Sequence, residues 1–187
     1  FVSVGKYGQV FVTTRFGGYL ADNNGTLTRI NADGSGFLLL KQLRKRLGSL
    51  LGPPIVTTND VLFGVGEGEV VSPSQTNYTP GTIFRAGTSG DFLVANHAQF
   101  EQPPKYNTGP PQNRDVFYNA KPLGGLMQAS DGNLYGAHGV VTTFGAPATN
   151  LCYYYRLSLD EHGFAAGMTR SAYFSGTLQP TAAPLVD

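Results

Sequence analysis

Residues 131–139, DGNLYGAHG, have the pattern of a tight turn followed by a β-strand that ends near His138. Glycine after aspartate favours a turn because it adopts a positive φ without a Cβ clash. The segments DVLFG at 60–64 and GQVFV at 8–12 have a related pattern of a turn followed by a short apolar strand. The sequence therefore predicts a repeated hairpin at this point.

Two further strands follow each copy in the same order. The next strand contains an arginine, which is Arg29, Arg85 or Arg156, and a glycine turn with a phenylalanine then opens a third strand. A short apolar segment also precedes each copy: FVSV at 1–4, PPIVTT at 53–58 and KPLGGLMQ at 121–128. Runs of β-branched and aromatic residues that are bounded by Gly, Pro, Asn and Asp favour β-strands. The sequence therefore predicts four strands in each unit.

Units of four antiparallel strands and roughly 50 to 70 residues are typical of propeller blades. The sequence thus predicts an all-β, β-propeller-like fold of about three four-stranded blades, at 1–52, 53–120 and 121–183, in a single repeat domain over 1–187. Residues 184–187 are expected to start a further strand. Propellers usually have roughly four to eight blades. We therefore expect that the chain is part of a larger propeller, or that other chains complete the propeller.

One segment departs from the strand pattern. Residues 38–52, LLLKQLRKRLGSLLG, place leucines at helical spacing and end in a glycine before Pro53. We expect a strand that leads into a short surface helix.

The composition argues against several classes of function. The chain has 13 Lys and Arg against 12 Asp and Glu, so its net charge of +1 creates no field that would attract nucleic acid. Its apolar runs are only a few residues long, so no membrane span is predicted. The single cysteine, Cys152, excludes an internal disulfide and a cysteine-based zinc cluster. No cofactor is predicted, and the binding of calcium or zinc stays open.

The combination of DGNLYG, a glycine-rich loop and GTIFR at 81–85 resembles the Gloeo/Verruco (GloVer) tandem repeat of bacterial secreted and cell-surface proteins. The resemblance covers most of the chain, and the first unit departs most from it, with GTLTRI at 25–30. It implies a secreted or cell-surface location and a propeller-like fold, but no reaction. A weaker similarity, in fold and residue type alone, is to propeller-fold polysaccharide lyases of the ulvan-degrading kind.

The candidate catalytic residues are His138, Tyr135 and Arg156, and they apply only if the chain is such a lyase. A neutral imidazole or a tyrosine could act as acid or base beside a sugar carboxylate, which the arginine would neutralise. A histidine hydrogen-bonded within a loop is the competing interpretation of His138. The repeated arginines are expected to brace neighbouring blades, because every unit supplies one at the same position.

The candidate ligand-binding residues are Tyr78, Tyr106 and Tyr118 in the long insertions of the second unit, together with His138. Sugar rings stack on flat aromatic faces, and a tyrosine adds a hydroxyl for orientation. Packing at the blade edges would explain the same tyrosines. The three histidines of the chain are too widely spaced in sequence to form a known metal motif, so no metal ligand is predicted.

These observations predict an extracellular propeller scaffold that binds glycan or protein ligands, and they favour a binding role over catalysis. One alternative is a polysaccharide lyase that acts on acidic sugars by β-elimination. Another is a structural subunit of an extracellular filament or assembly, joined at open repeat edges. The partners expected beside a ligand are further copies of the chain or the missing blades of a longer one.

Overall fold

The computed structural model describes residues 1–17, 25–43, 50–67, 81–91, 93–99, 106–107, 115–116, 118–122, 124–142 and 150–175. Within these ranges the chain is all-β with no helix, which confirms the predicted class of secondary structure. The predicted surface helix falls mainly on 44–49, outside the described residues, and the strand expected before it is present at Leu38–Gln42.

Three antiparallel sheets follow one another along the chain. The first sheet has the order β1 (Val2–Val4), β2 (Val10–Thr13), β3 (Thr26–Ile30) and β4 (Leu38–Gln42). The second has the order β5 (Ile55–Val56), β6 (Val61–Gly66), β7 (Thr82–Gly87) and β8 (Leu93–Gln99). A small separate sheet pairs β9 (Tyr106–Asn107) with β10 (Asp115–Val116). In the third large sheet, β11 (Tyr118–Pro122) and β12 (Met127–Gln128) both pair with β13 (Leu134–Thr142), and β14 (Asn150–Leu159) and β15 (Ala165–Ser175) follow.

The first hairpin of each large sheet has the same turn. The fourth loop residue has a positive φ in all three, at Gly8 (79°), Asp60 (58°) and Gly132 (81°). The N–H of that residue donates to the carbonyl three residues earlier, at 2.9 to 3.1 Å. Such left-handed loop positions favour glycine, and Asp60 is the one non-glycine residue with a positive φ in the described part of the chain. Its carboxylate accepts a hydrogen bond of 3.0 Å from the Thr88 hydroxyl.

The two middle strands of each sheet also pair in the same register. In all three sheets an aromatic residue lies opposite an arginine: Phe11 opposite Arg29, Phe63 opposite Arg85 and Tyr135 opposite Arg156. Cross-strand partners extend from the same face of a sheet. Each sheet therefore presents one arginine beside one aromatic ring on an equivalent face.

The second sheet is buried on both of its faces. Leu62, Phe84 and Ala86 extend from one face into a hydrophobic cluster shared with the first sheet. Phe63 and Val65 extend from the other face into a cluster shared with the third sheet. Because successive side chains alternate between faces, one pair of strands supplies both clusters. The three sheets therefore stack face to face in chain order.

Two sequence-based expectations need revision. The insertion at 101–120 is predicted as a loop, but it contains β9, β10 and most of β11, so the third sheet begins at Tyr118. His138 is predicted at the exit of its strand, whereas β13 continues to Thr142 and the histidine lies in mid-strand, because Val140 and Val141 extend the pairing with β14. The strand expected at 184–187 lies outside the described residues.

Substitution of Gly136 tests the close packing inside the third sheet. Its cross-strand partner is Tyr155, whose buried ring lies where a Cβ on Gly136 would be, as the Phe84 ring does at Gly64. We expect Gly136→Ala to lower the free energy of unfolding by roughly 1 to 3 kcal/mol, because overpacking forces the ring or the strand to move. Urea denaturation measures the change.

The matched control for this substitution is Gly167→Ala in β15. A Cβ at Gly167 meets no atom within 4 Å. The control should change the free energy of unfolding by less than about 0.5 kcal/mol. Equal stability of the Gly136→Ala protein and the unsubstituted protein would contradict the packing described.

Candidate functional site

β1, β5 and β12 border one groove. Each of these short strands opens the first hairpin of its sheet and is called its first strand below. β1 contacts β5, and a cavity of about 750 Å³ is lined by residues 2–6, 53–58 and 126–128. Valine, isoleucine, leucine, methionine and proline side chains form most of its wall. The polar lining residues are Ser3, Lys6, Thr57, Thr58 and Gln128. Concave, largely apolar surfaces with a few polar groups are typical of ligand sites, so this groove is the leading candidate.

Gln128 links the second and third sheets at the groove. Its Oε1 accepts a hydrogen bond from the Thr58 backbone N–H at 3.0 Å, and its Nε2 donates to the Gly132 carbonyl at 2.9 Å. Nearby, the backbones of Gly52 and Gly125 approach so closely that a Cβ on Gly52 would lie 2.6 Å from the Cα of Gly125. These contacts hold the two walls of the groove in a defined relative position.

An exposed aromatic ring lies beside the groove in the first hairpin turn. Tyr7 is 69 % exposed, and the Nζ of its neighbour Lys6 lies 5.6 Å from the centroid of the tyrosine ring. The Tyr7 backbone N–H donates to the Gln9 Oε1 at 3.2 Å, which holds the turn. The edge of the groove therefore offers a flat apolar face next to an ammonium group, a combination suited to a sugar ring with a negative substituent.

Tyr135 and Arg156 come together on the face of the third sheet that is turned away from the second. The Tyr135 hydroxyl donates to Oδ2 of Asp131 at 2.7 Å, and the Asn133 side-chain amide donates to the same oxygen at 2.8 Å. The hydrogen bonds from Asn133 and then Tyr135 lower the pKa of Asp131, and the bond to Asp131 raises the pKa of Tyr135. A tyrosine that holds its proton this firmly is a poor general base at neutral pH.

His138 lies on the opposite face of β13 from Tyr135. The two positions are three residues apart, so their side chains extend from opposite sides of the sheet. His138 is fully buried on the face that packs against the second sheet, and its ring centroid is 6.0 Å from that of Tyr155. The structure thus brings two of the three candidate catalytic residues together and separates His138 from both. The position of the histidine fits a packing role.

The structure describes two of the three candidate ligand tyrosines, through their strand pairing. Tyr78 lies outside the described residues. Tyr106 pairs with Val116 in the small sheet, and Tyr118 pairs with Thr142 at the edge of the third sheet.

Two of the repeated arginines connect neighbouring sheets, which confirms the predicted brace for them. The Nη1 of Arg29 donates to the Thr88 carbonyl of the second sheet at 3.2 Å. The Nη2 of Arg85 donates to the His162 carbonyl of the third sheet at 3.4 Å, and its guanidinium carbon lies 4.4 Å from the centroid of the Phe164 ring. For Arg156 the described part of the chain contains no following sheet.

Sequence analysis missed the residues that line the groove. The segments FVSV, PPIVTT and KPLGGLMQ are recognisable as first strands, and the innermost strands of stacked sheets lie beside one another. That order could have identified Lys6, Thr58 and Gln128 as neighbours. The histidine that the sequence singled out, His138, is buried between the second and third sheets instead.

No protein-family model, curated protein or solved structure matches the chain. In the described ranges no helix is long and apolar enough to cross a membrane. The described residues also contain no cluster of three or more His, Cys, Asp or Glu side chains that could hold a metal ion. The class of protein is therefore defined by its own geometry, as an all-β protein of stacked antiparallel sheets with a groove along their first strands.

Replacement of Arg85 tests the brace between the second and third sheets. Arg85→Ala removes a hydrogen bond to a backbone carbonyl and a contact with an aromatic ring, so we expect the free energy of unfolding to fall by roughly 1 to 2 kcal/mol. Arg15→Ala is the control, because Arg15 is exposed and its guanidinium carbon lies 5.4 Å from the centroid of the adjacent Phe16 ring. Equal losses in the two variants, measured by thermal unfolding, would argue against a bridging role.

The lowered pKa of Asp131 predicts a pH dependence of stability. A carboxyl group whose pKa is lower in the folded than in the unfolded chain stabilises the fold above its unfolded pKa, and that contribution is lost as the pH falls through the folded pKa. Asp131→Asn should therefore be less stable than the unsubstituted protein near neutral pH. The difference should shrink in acid, below the ordinary carboxyl value of 3.8. Chemical denaturation across this pH range measures it, and a constant difference would exclude a contribution from the charge.

Proposed function

We propose that the chain is a three-sheet section of a β-propeller that binds glycans in the groove between its first strands. The observation that carries this proposal is the groove itself, with the first strands of all three sheets along its wall. Lys6 lines the groove, and the exposed ring of Tyr7 lies beside Lys6. A secreted or cell-surface location belongs to the proposal and rests on the resemblance to the GloVer repeat.

The stacking of the sheets supports a propeller-like arrangement. Blades of a propeller place their first strands near a common axis and their last strands on the outside. Here β1 contacts β5 beside the groove, whereas the last strands β8 and β15 contact each other. The side chains of one sheet pack into the next in chain order, as successive blades do.

The chemistry of the groove supports a sugar as ligand. The hydroxyls of Ser3, Thr57 and Thr58 can exchange hydrogen bonds with sugar hydroxyls. The exposed Tyr7 ring can stack on a pyranose face, and the Lys6 ammonium favours sugars that carry a carboxylate or sulfate.

Binding is favoured over the lyase alternative by the same residues. The described lining of the groove contains hydroxyl, amide and ammonium groups but no imidazole and no carboxylate. β-Elimination needs a base beside the proton to be removed. The buried position of His138 places that imidazole inside the stack of sheets instead.

Titration calorimetry with neutral and uronic-acid oligosaccharides tests the proposal. Tyr7→Ala should weaken the affinity for a bound sugar about tenfold, which corresponds to about 1.4 kcal/mol. Lys6→Ala should weaken the binding of acidic sugars and leave that of neutral sugars nearly unchanged. Phe16→Ala is the matched control, because Phe16 is 61 % exposed but lies beyond the other end of β2.

Two results would contradict the proposal. One is an affinity that stays the same in Tyr7→Ala and Lys6→Ala, since the sugar would then bind elsewhere. The other is the absence of heat for every oligosaccharide together with binding of a protein ligand.

A further inference from the structure

In the part of the chain that the structure describes, the stack of three sheets has two unlike outer faces. We call the face of the first sheet that is turned away from the second the valine face, because it carries Val2 and Val4, 60 % and 68 % exposed. We call the corresponding outer face of the third sheet the arginine face, because it carries Arg156 beside Tyr135 and Tyr154. Exposed valines on one outer face and an exposed arginine with aromatic residues on the other resemble the two halves of an interface.

The two interfaces inside the chain show how such faces join. In each of them an arginine in the third strand of one sheet donates to a carbonyl in the turn between the last two strands of the following sheet. The distances are 3.2 Å from Arg29 to Thr88 and 3.4 Å from Arg85 to His162. At the second interface Arg85 also lies over the ring of Phe164, which directly precedes β15.

The arginine face carries the donor of this contact. Arg156 lies opposite Tyr135 across the strand pair. Arg29 and Arg85 lie opposite Phe11 and Phe63 in the same way. It is exposed, and the fold already directs it away from the second sheet.

The first sheet carries the acceptor. The turn between β3 and β4 has the hydrogen-bond pattern of the two receiving turns, with the Gly34 N–H donating to the Asn31 carbonyl at 2.9 Å. Asp33 directly precedes Gly34, the positive-φ glycine of this turn. His162 has the equivalent position before Gly163 in the third sheet. Phe37, which precedes β4, is 70 % exposed. The receiving site therefore offers a carbonyl, an aromatic ring and a carboxylate.

Charge complementarity identifies the occupant. In the internal interfaces the residues at the position of Asp33 are Ser89 and His162. Those two turns carry their acidic residues at other positions, namely Asp91 in the second sheet and Asp160 and Glu161 in the third. The Asp33 carboxylate is held at the turn by hydrogen bonds of 2.9 and 2.7 Å from the backbone N–H and hydroxyl of Ser35. A cation on the opposing surface is the fitting partner, and this chain has Arg156 at the matching place on its other face.

We propose that the arginine face of one chain packs against the valine face of a second copy, with Arg156 reaching Asp33 and Phe37 of that copy. Each copy has both faces, so two copies can join twice and close a ring of six sheets, within the roughly four to eight blades that propellers use. The proposal rests on the propeller-like stacking of the proposed function but not on its ligand class.

A charge exchange between positions 156 and 33 tests the interface. Analytical ultracentrifugation of the unsubstituted protein should give twice the monomer mass. Arg156→Asp and Asp33→Arg should each raise the dimer dissociation constant about tenfold or more, because each places like charges together. The double variant Arg156→Asp with Asp33→Arg should recover most of the lost affinity.

Control measurements separate this contact from other causes. Arg15→Asp changes a different exposed arginine by the same charge and should leave the dimer intact. Thermal unfolding of each variant shows that the monomer still folds. A protein that remains monomeric at every concentration, a polymer of increasing size, or a double variant no better than the single ones would overturn the proposal. None of these outcomes depends on the oligosaccharide titrations, so the two proposals fail separately.

Discussion

The packing of the second sheet on both of its faces is the constraint on which the rest of the structure depends. Its two middle strands are almost continuously buried, and alternate side chains enter the clusters on either side. A sheet with two apolar faces gains stability only when both are covered, since each buried aromatic or branched side chain contributes roughly 1.5 to 3 kcal/mol. The first and third sheets are therefore held in fixed positions around it, and the groove, the arginine contacts and the two outer faces follow from that order.

The polar contacts refine this arrangement. Arg29 and Arg85 each reach a carbonyl in the following sheet, and Gln128 ties a strand of the third sheet to a turn of the second. A guanidinium with several donors suits this task, because it can satisfy a turn carbonyl while its flat face covers a ring. Together these contacts set the separation of the sheets at the outer turns and at the groove. They explain why equivalent positions in different units carry the same type of residue.

Residue type alone does not identify the side chains that line the groove. His138 differs from the corresponding residues of the other units and so attracted a chemical interpretation, yet it occupies a buried position beside Tyr155. Tyr135 matched the lyase analogy by type, but its hydroxyl is engaged by Asp131. Lys6, which lies in an ordinary hairpin turn, lines the groove because three first strands converge there, and the exposed Tyr7 is its neighbour. Proximity in space, which local patterns do not encode, decided which residues line the groove.

Much of the fold could be derived from the sequence, because strand alternation and turn chemistry are local properties. Residue type and spacing alone were enough to recognise the turn at Asp131-Gly132 and the middle strand of each unit. They also showed that an arginine recurs at the same position in all three units. Only the tertiary structure shows that β13 continues beyond His138 and that the insertion at 101–120 contains strands. Both features depend on pairing with other strands. The same holds for the face from which each side chain extends. A shift of one residue in register reverses every side chain of a strand, and only the packing of one sheet on the next selects the register that buries the apolar set.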